Sequence, residues 1–142
     1  MNLDQRLSAG TPPVIAILRG IRPEECESIG AALCDAGIGL IEVPLNSPQP
    51  LESISRLAKG YGTRCLVGAG TVLSAGAVDD VFQAGGRLIV TPTAEAAVIA
   101  HTVAAGLDIV PGFETPTEAL PPLQPAQCDS SSFRPRVWQS RT

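Results

Sequence analysis

The feature that most constrains the fold of this chain is a serial alternation of short apolar runs with helix-like segments. Five runs rich in Val, Ile and Leu recur before residue 120: VIAIL (14–18), LIEV (40–43), CLVGA (65–69), RLIV (87–90) and LDIV (107–110). Runs of this length and composition are typical of parallel strands that are buried on both faces. We therefore predict an α/β fold with a parallel sheet and right-handed crossovers.

The segments between the apolar runs carry helix start and stop signals. Pro23, followed by two acids, suits a helix start, and Gly37 suits a left-handed cap at the end of that helix. The next helix is predicted to end at Gly60, and Ser74 and Thr93 are predicted to cap the two after it. Three units share one plan of helix end, Ala-Gly, short gap and strand: CDAGIGLIEV, FQAGGRLIV and VAAGLDIV.

Two architectures fit such a repeat, a doubly wound sheet and part of a (β/α)₈ barrel. Barrel enzymes place their chemistry at the carboxyl ends of several strands, and here polar, Gly or Pro residues follow nearly every run. The stretch GAGTVL (68–73) lacks the third glycine of a dinucleotide fingerprint and follows the third run, not the first. We predict a partial (β/α)₈ TIM barrel of about five β/α units over residues 1–120, with the doubly wound sheet as the alternative.

Composition excludes several functional classes. The net charge of −4 argues against nucleic acid as a partner. No apolar run approaches the roughly 20 residues that span a bilayer, and MNLDQRLSAGTPPV lacks the apolar core of a secretory signal, so we expect a cytoplasmic protein without a membrane partner. The cysteines show no C-x-x-C spacing, which favours free thiols over a metal site or a disulfide framework; they are Cys26, Cys34, Cys65 and Cys128.

Three side chains at predicted strand ends suit acid–base chemistry or anion binding. Glu42 is a carboxylate inside an apolar strand, where burial would raise its pKa toward the range useful for proton transfer. Arg19 ends the first run, where a guanidinium can clamp a carboxylate or phosphate. Thr71 follows two glycines at a turn that opens a helix. The alternatives are a structural ion pair of Glu42 with Arg19 or Arg64, and an arginine that is merely exposed at the rim.

Taken in order, the motifs IAILRG, IEVPLNSP, GAGTVL, LIVTP and PGFETPTEA resemble the 2-keto-3-deoxy-6-phosphogluconate and phosphogalactonate aldolases. The resemblance covers about residues 13–120. VPLNSP is most similar to the galactonate branch, because the gluconate enzymes tend to have an arginine where Asn46 stands. The family implies a (β/α)₈ barrel, a homotrimer for the intact protein, and a role in galactonate degradation.

The resemblance also implies a class I aldolase, which is a lyase that needs no metal and no cofactor. A lysine on the sixth strand forms a Schiff base with a phosphorylated keto-deoxy sugar acid, which is cleaved to pyruvate and D-glyceraldehyde 3-phosphate. By resemblance, Glu42 is the catalytic acid and base, Arg19 and Thr71 hold the pyruvate carboxylate, and Pro92 and Asn46 also bind substrate.

The chain departs from the family at the Schiff-base lysine. Nothing in residues 121–142 matches the family motif, which is similar to LKLFPAE, and the only lysine, Lys59, stands at a predicted helix end. The resemblance therefore implies a truncated aldolase, inactive as written. The alternatives are a non-catalytic anion-binding module and another sugar-phosphate barrel enzyme, such as an isomerase or synthase.

Residues 121–142 have a different composition from the rest of the chain. They contain prolines, three consecutive serines, three arginines and one acid. When permitted codons are chosen for residues 123–136 and read from the third base of the first codon, they encode AAGAMRLKLFPAE, which resembles the missing motif. We therefore expect a frameshift near Leu120, and residues 121–142 to be an out-of-frame, disordered tail.

Overall fold

The computed structural model describes residues 1–115, and the predicted tail at 121–142 lies outside them. All five predicted strands are present, each within about one residue of its predicted bounds. The strands are β1 (Ile15–Ile17), β2 (Leu40–Pro44), β3 (Leu66–Gly70), β4 (Leu88–Thr91) and β5 (Asp108–Pro111). The helices are α1 (Leu3–Ser8), α2 (Cys26–Asp35), α3 (Pro50–Tyr61), α4 (Ala75–Gln83) and α5 (Ala96–Ala104), and a 3₁₀ turn at Pro23–Glu25 precedes α2.

The strand order distinguishes the two predicted architectures. All pairs are parallel, and the order across the sheet is β1-β2-β3-β4-β5, so each strand pairs with its successor in the chain. A doubly wound sheet reverses its strand order at a switch point, and these five strands contain no reversal. The described residues therefore form five consecutive strands of a partial TIM barrel, as the sequence predicts.

The sheet has one face covered by α2–α5 and an opposite face that corresponds to a barrel interior. Side chains on the helix-facing side, such as Ile41, Val67 and Ile89, join the larger apolar core. Leu40, Leu66 and Leu88 form a second cluster on the opposite face. Because successive strand residues alternate between faces, Glu42 lies on the same face as Leu40, toward the carboxyl end of β2.

Helix α1 has no counterpart in the sequence prediction. Leu3 and Leu7 pack on the inner cluster, and the backbone N–H of Leu3 donates to Asp108 Oδ2 at 2.9 Å. The helix begins with a capping box, in which Asn2 accepts from the backbone of Gln5 and Gln5 accepts from the backbone of Asn2. That Asn-x-x-Gln spacing is the sequence signal that would have predicted α1.

Two of the predicted helix boundaries are wrong. α3 continues to Tyr61, beyond Gly60, and its next residue, Gly62, donates to the carbonyl of Ala58 at 2.9 Å. Thr93 does not cap α5, because α5 begins at Ala96. The Thr93 carbonyl instead accepts from Thr91 Oγ1 at 2.6 Å, which fixes the loop after β4.

Other helix signals are confirmed. The Ser74 hydroxyl caps α4 by accepting from the backbone N–H of Ala77 at 3.2 Å. The glycines of the three Ala-Gly pairs share one backbone conformation. Those at 37, 85 and 106 all have positive φ, between 72° and 92°. Each turns the chain after a helix toward the next strand. Within residues 1–115, no helix combines the length and apolar character needed to cross a lipid bilayer.

Candidate active site

The candidate residues lie in β2 or in the loops that follow the strands, at one edge of the sheet. Because the strands are parallel, their carboxyl ends meet at this edge. Arg19 follows β1, Glu42 lies in β2, Asn46 follows β2, Thr71 follows β3, and Pro92 follows β4. The backbone N–H of Leu18 donates to the carbonyl of Glu42 at 2.9 Å, which continues the β1–β2 pairing up to Arg19.

Glu42 is the most deeply buried charged group at this edge. The residue is 4% exposed, and its Oε2 has no hydrogen-bond partner. Burial raises the pKa of the Glu42 carboxyl, while the positive charge of Arg19 and a hydrogen bond with the backbone of Gly70 oppose that increase. A buried carboxyl with a raised pKa and an unpaired oxygen is suited to give and take protons.

The alternative of a structural ion pair does not fit the geometry of Glu42. Arg64 pairs with Asp35 at 3.0 Å, and the Arg19 guanidinium donates to Asn46 Oδ1 at 3.3 Å. Among residues 1–115, no cation lies within 4.0 Å of the Glu42 carboxylate oxygens. Since isolated buried charge is costly, the position of Glu42 calls for a role other than strand stability.

Two glycines of β3 make room for this carboxyl, and the sequence analysis missed their packing role. A Cβ at Gly70 would overlap the carboxyl group of Glu42, and a Cβ at Gly68 would overlap the backbone carbonyl of Leu88 in β4. The stretch GAGTVL suggested only close approach of a backbone to an anion. Its glycines instead admit the Glu42 side chain and the neighbouring strand.

The loops after β1 and β2 are joined by two polar contacts. Besides the bond from Arg19 to Asn46, the backbone N–H of Gly20 donates to the buried hydroxyl of Ser47 at 3.1 Å. Gly20 has a φ of 79°, so the chain turns sharply directly after Arg19. Ser47 therefore fixes the turn that directs the guanidinium. Ser47 was not among the residues predicted from the sequence, although it lies within VPLNSP.

Thr71 adopts a strained backbone conformation. Its φ is 59°, in the left-handed region that a β-branched residue rarely occupies. Such strain is of order 1–3 kcal/mol and is concentrated at functional sites. The half-buried Thr71 therefore has a backbone conformation that glycine would adopt with less strain.

We expect Thr71→Gly to stabilise the chain by about 1 kcal/mol, because relief of strain exceeds the entropy cost of the new glycine. The urea midpoint of unfolding measures this change. Thr63→Gly is the matched control, since Thr63 is exposed and has no positive φ; it should lower the midpoint. Equal destabilisation by both substitutions would show that the backbone at Thr71 is not strained.

Pro92 and Lys59 differ in their position relative to this edge. Pro92 is exposed at the end of β4, and its carbonyl lies so close to Gly112 that a Cβ there would be 2.6 Å from it. Lys59 is exposed in the last turn of α3, as the sequence predicts, beside a surface groove of about 510 Å³ between α2 and α3. That turn leads toward the amino end of β3, opposite the edge that carries Glu42.

Comparison with known proteins gives a family for this architecture. The family model described as KDPG and KHG aldolase matches residues 4–124. The 2-dehydro-3-deoxy-6-phosphogalactonate aldolase of Escherichia coli (strain K12) is 46% identical over 112 residues, which are 79% of this chain and 55% of the relative. This chain thus spans about half the length of the curated relatives it matches.

Solved structures agree with this family. One described as native KDPGal superposes with a TM-score of 0.74 at 47% identity, covering 75% of this chain and 52% of that chain. The KDPG aldolase of Legionella pneumophila, described with pyruvate captured as a covalent carbinolamine, has a TM-score of 0.70 at 27% identity. That match covers 76% of this chain and 52% of the Legionella chain.

Proposed function

We propose that this chain, which belongs to the KDPG and KHG aldolase family, is the amino-terminal part of an aldolase barrel for 2-dehydro-3-deoxy-6-phosphogalactonate. The complete barrel would cleave this phosphorylated keto-deoxy sugar acid to pyruvate and D-glyceraldehyde 3-phosphate. The observation that carries the proposal is the buried Glu42 carboxyl, whose Oε2 has no hydrogen-bond partner and which packs on Gly70 near Arg19, at the carboxyl edge of the sheet.

The candidate residues have separate proposed roles, which follow from their charge and position. The buried carboxyl of Glu42 gives and takes the protons that imine formation and C–C cleavage require. The guanidinium of Arg19, held by Asn46, and the hydroxyl of Thr71 bind the pyruvate carboxylate. Pro92 lines the pocket in which this carboxylate is bound. The Schiff base itself requires the lysine of the sixth strand, which the five described strands do not supply.

Identity supports the galactonate substrate over the gluconate substrate. The chain is 46–47% identical to the phosphogalactonate aldolases compared above, but 27% identical to the Legionella phosphogluconate aldolase. Asn46 supports the same choice, because the gluconate enzymes tend to have an arginine at this position. The homotrimer implied by the resemblance is proposed for the complete barrel.

We also propose that residues 121–142 are read out of frame. The family match ends at residue 124 although the chain continues to Thr142, and one permitted choice of codons, read in the shifted frame, would encode a lysine strand. DNA sequencing around codon 120 tests this proposal directly. An intact reading frame there, reproduced in independent reads, would overturn it.

A chimeric barrel tests the function without relying on the frameshift. Residues 1–120 of this chain are joined to the remaining part of the Escherichia coli relative, and pyruvate release is followed with lactate dehydrogenase and NADH. We expect turnover that EDTA does not change. Loss of turnover in EDTA by a folded chimera would refute class I chemistry.

Borohydride trapping with labelled pyruvate separates the competing functions. The chimera and the Legionella aldolase should each form a covalent adduct. The parent chain should form none, because Lys59 lies in the helical layer, away from the edge that carries Glu42. Pyruvate binding by the chimera without an adduct would favour an anion-binding module. No binding and no adduct would favour an isomerase or synthase.

A further inference from the structure

Two cysteines lie near each other at the amino end of the sheet, on the side opposite the candidate active site. Cys34 lies in the last turn of α2, and Cys65 directly precedes β3. The Cys65 thiol donates to the carbonyl of Ile38 in the loop that follows α2, at 3.5 Å, and Cys34 packs against the same apolar core that contains Cys65. The residues next to them, Asp35 and Arg64, form a salt bridge of 3.0 Å that holds the same two segments together.

We propose that Cys34 and Cys65 form a reversible disulfide when the protein meets a peroxide. The sequence spacing gave no reason to pair these cysteines, since β2 and α3 separate them in the chain. Parallel pairing of β2 with β3 brings them together: the backbone N–H of Leu66 donates to the carbonyl of Gly39 at 2.8 Å, which places Cys65 beside the end of α2.

The two thiols differ in accessibility, and this difference sets the order of reaction. Cys65 is 2% exposed, lies in the helix-facing core, and its Sγ is 3.5 Å from the carbonyl of Ile38. Burial, and then the nearby Cys34 thiol, raise the pKa of the Cys65 thiol to about 12. Cys34 is only partly buried, so it is the thiol that meets the peroxide first.

The reaction balances with hydrogen peroxide as the oxidant. The Cys34 thiolate attacks one peroxide oxygen, the O–O bond breaks, and a sulfenic acid and hydroxide form. Cys65 then attacks the Cys34 sulfur as its S–H proton leaves with the departing hydroxide as water. The S–S bond replaces the S–O bond, and overall two thiols and one peroxide give one disulfide and two waters.

The position of the disulfide determines its effect. It ties the end of α2 to the start of β3, at the amino end of the sheet, where barrels place residues that serve stability. Glu42 and Thr71 belong to the opposite edge. Oxidation should therefore raise thermal stability by closing the loop that contains β2 and α3, and leave the candidate site in place.

The chain offers matched controls for this proposal. Cys26 is buried in the same helix as Cys34, but its Sγ donates to the carbonyl of Arg22 at 3.6 Å. No Lys or Arg separates Cys26 from Cys34, so both fall on one tryptic peptide, and Cys26→Ala is needed to assign a crosslink. Cys128 lies outside the described residues and is removed by Cys128→Ser.

The experiment treats the full chain carrying Cys26→Ala and Cys128→Ser with hydrogen peroxide, blocks free thiols, and maps peptides without reduction. We expect a linked Cys34–Cys65 peptide pair that dithiothreitol separates, and a melting temperature higher by roughly 5–15 °C. Adding Cys34→Ala, a change at a partly exposed position, should remove both effects while circular dichroism confirms folding.

Three outcomes would overturn the proposal. One is a sulfinic or sulfonic acid on Cys34 with Cys65 still free. The second is a disulfide between two chains in place of the internal link. The third, in the chain that keeps all four cysteines, is a bond from Cys34 to Cys26 or Cys128. Each outcome would show that the contact between Cys34 and Cys65 does not support bond formation.

Discussion

Glu42→Gln in the chimeric barrel is expected to lower turnover by about 10²–10⁴-fold, the usual contribution of a general acid–base group. Glutamine keeps the shape that fits on Gly70 but removes the proton that the carboxyl exchanges. Pyruvate affinity should change little, because Arg19 and Thr71 hold the carboxylate of pyruvate in the proposed site. Steady-state kinetics and pyruvate titration measure the two effects separately.

Two comparison variants sharpen this result. Glu52→Gln removes an exposed carboxylate that pairs with Arg56 on α3 at 2.6 Å, and it should leave turnover unchanged. Arg19→Ala should weaken pyruvate binding most. If Glu42→Gln leaves the rate intact and lowers the melting temperature at every pH, Glu42 is a structural residue and its proposed role is wrong.

The same substitution should change how stability depends on pH. The folded-state pKa of Glu42 is raised by burial, so the folded chain retains a proton that the unfolded chain loses above about pH 4.3. The free energy of unfolding should therefore fall as pH rises from that value through the raised folded pKa. Melting temperatures of the parent and of Glu42→Gln are measured between pH 4 and pH 8. As the pH rises, the melting temperature of the parent should fall relative to that of the variant.

Gly68→Ala is expected to prevent folding of this chain, with a loss of about 4 kcal/mol or more. A Cβ at this position would overlap the backbone carbonyl of Leu88, which cannot rotate away as a side chain could. Strands β3 and β4 would have to separate in the middle of the sheet. Circular dichroism and urea unfolding measure the result.

Gly76→Ala is the matched glycine control. Gly76 lies in α4, and nothing is within 4 Å of the position of an added Cβ. Alanine should stabilise the chain there by about 0.5–1 kcal/mol, because glycine is the poorer helix residue. A folded Gly68→Ala variant of parental stability would show that β3 and β4 do not approach as closely as described.

The local pattern determined the elements of this fold and the edge on which its polar residues lie. Short Val- and Ile-rich runs, Ala-Gly turns and the Ser74 cap act over a few residues, so the five strands and most helix ends follow from them. The candidate residues follow for the same reason, since parallel strands carry their carboxyl ends to one side. The boundaries at Gly60 and Thr93 were wrong because glycine tolerates helix and threonine can bond within a loop instead.

Only the tertiary structure decided which residues from distant elements touch. The sequential strand order excluded the doubly wound sheet, and it brought Gly70 against Glu42, Ser47 against Gly20 and Cys65 beside the end of the helix that carries Cys34. Neither the strain at Thr71 nor the unpaired oxygen of Glu42 has a local sequence signal. Both arise because packing among neighbouring strands fixes a backbone angle and excludes water, and such constraints exist only once the strands have paired.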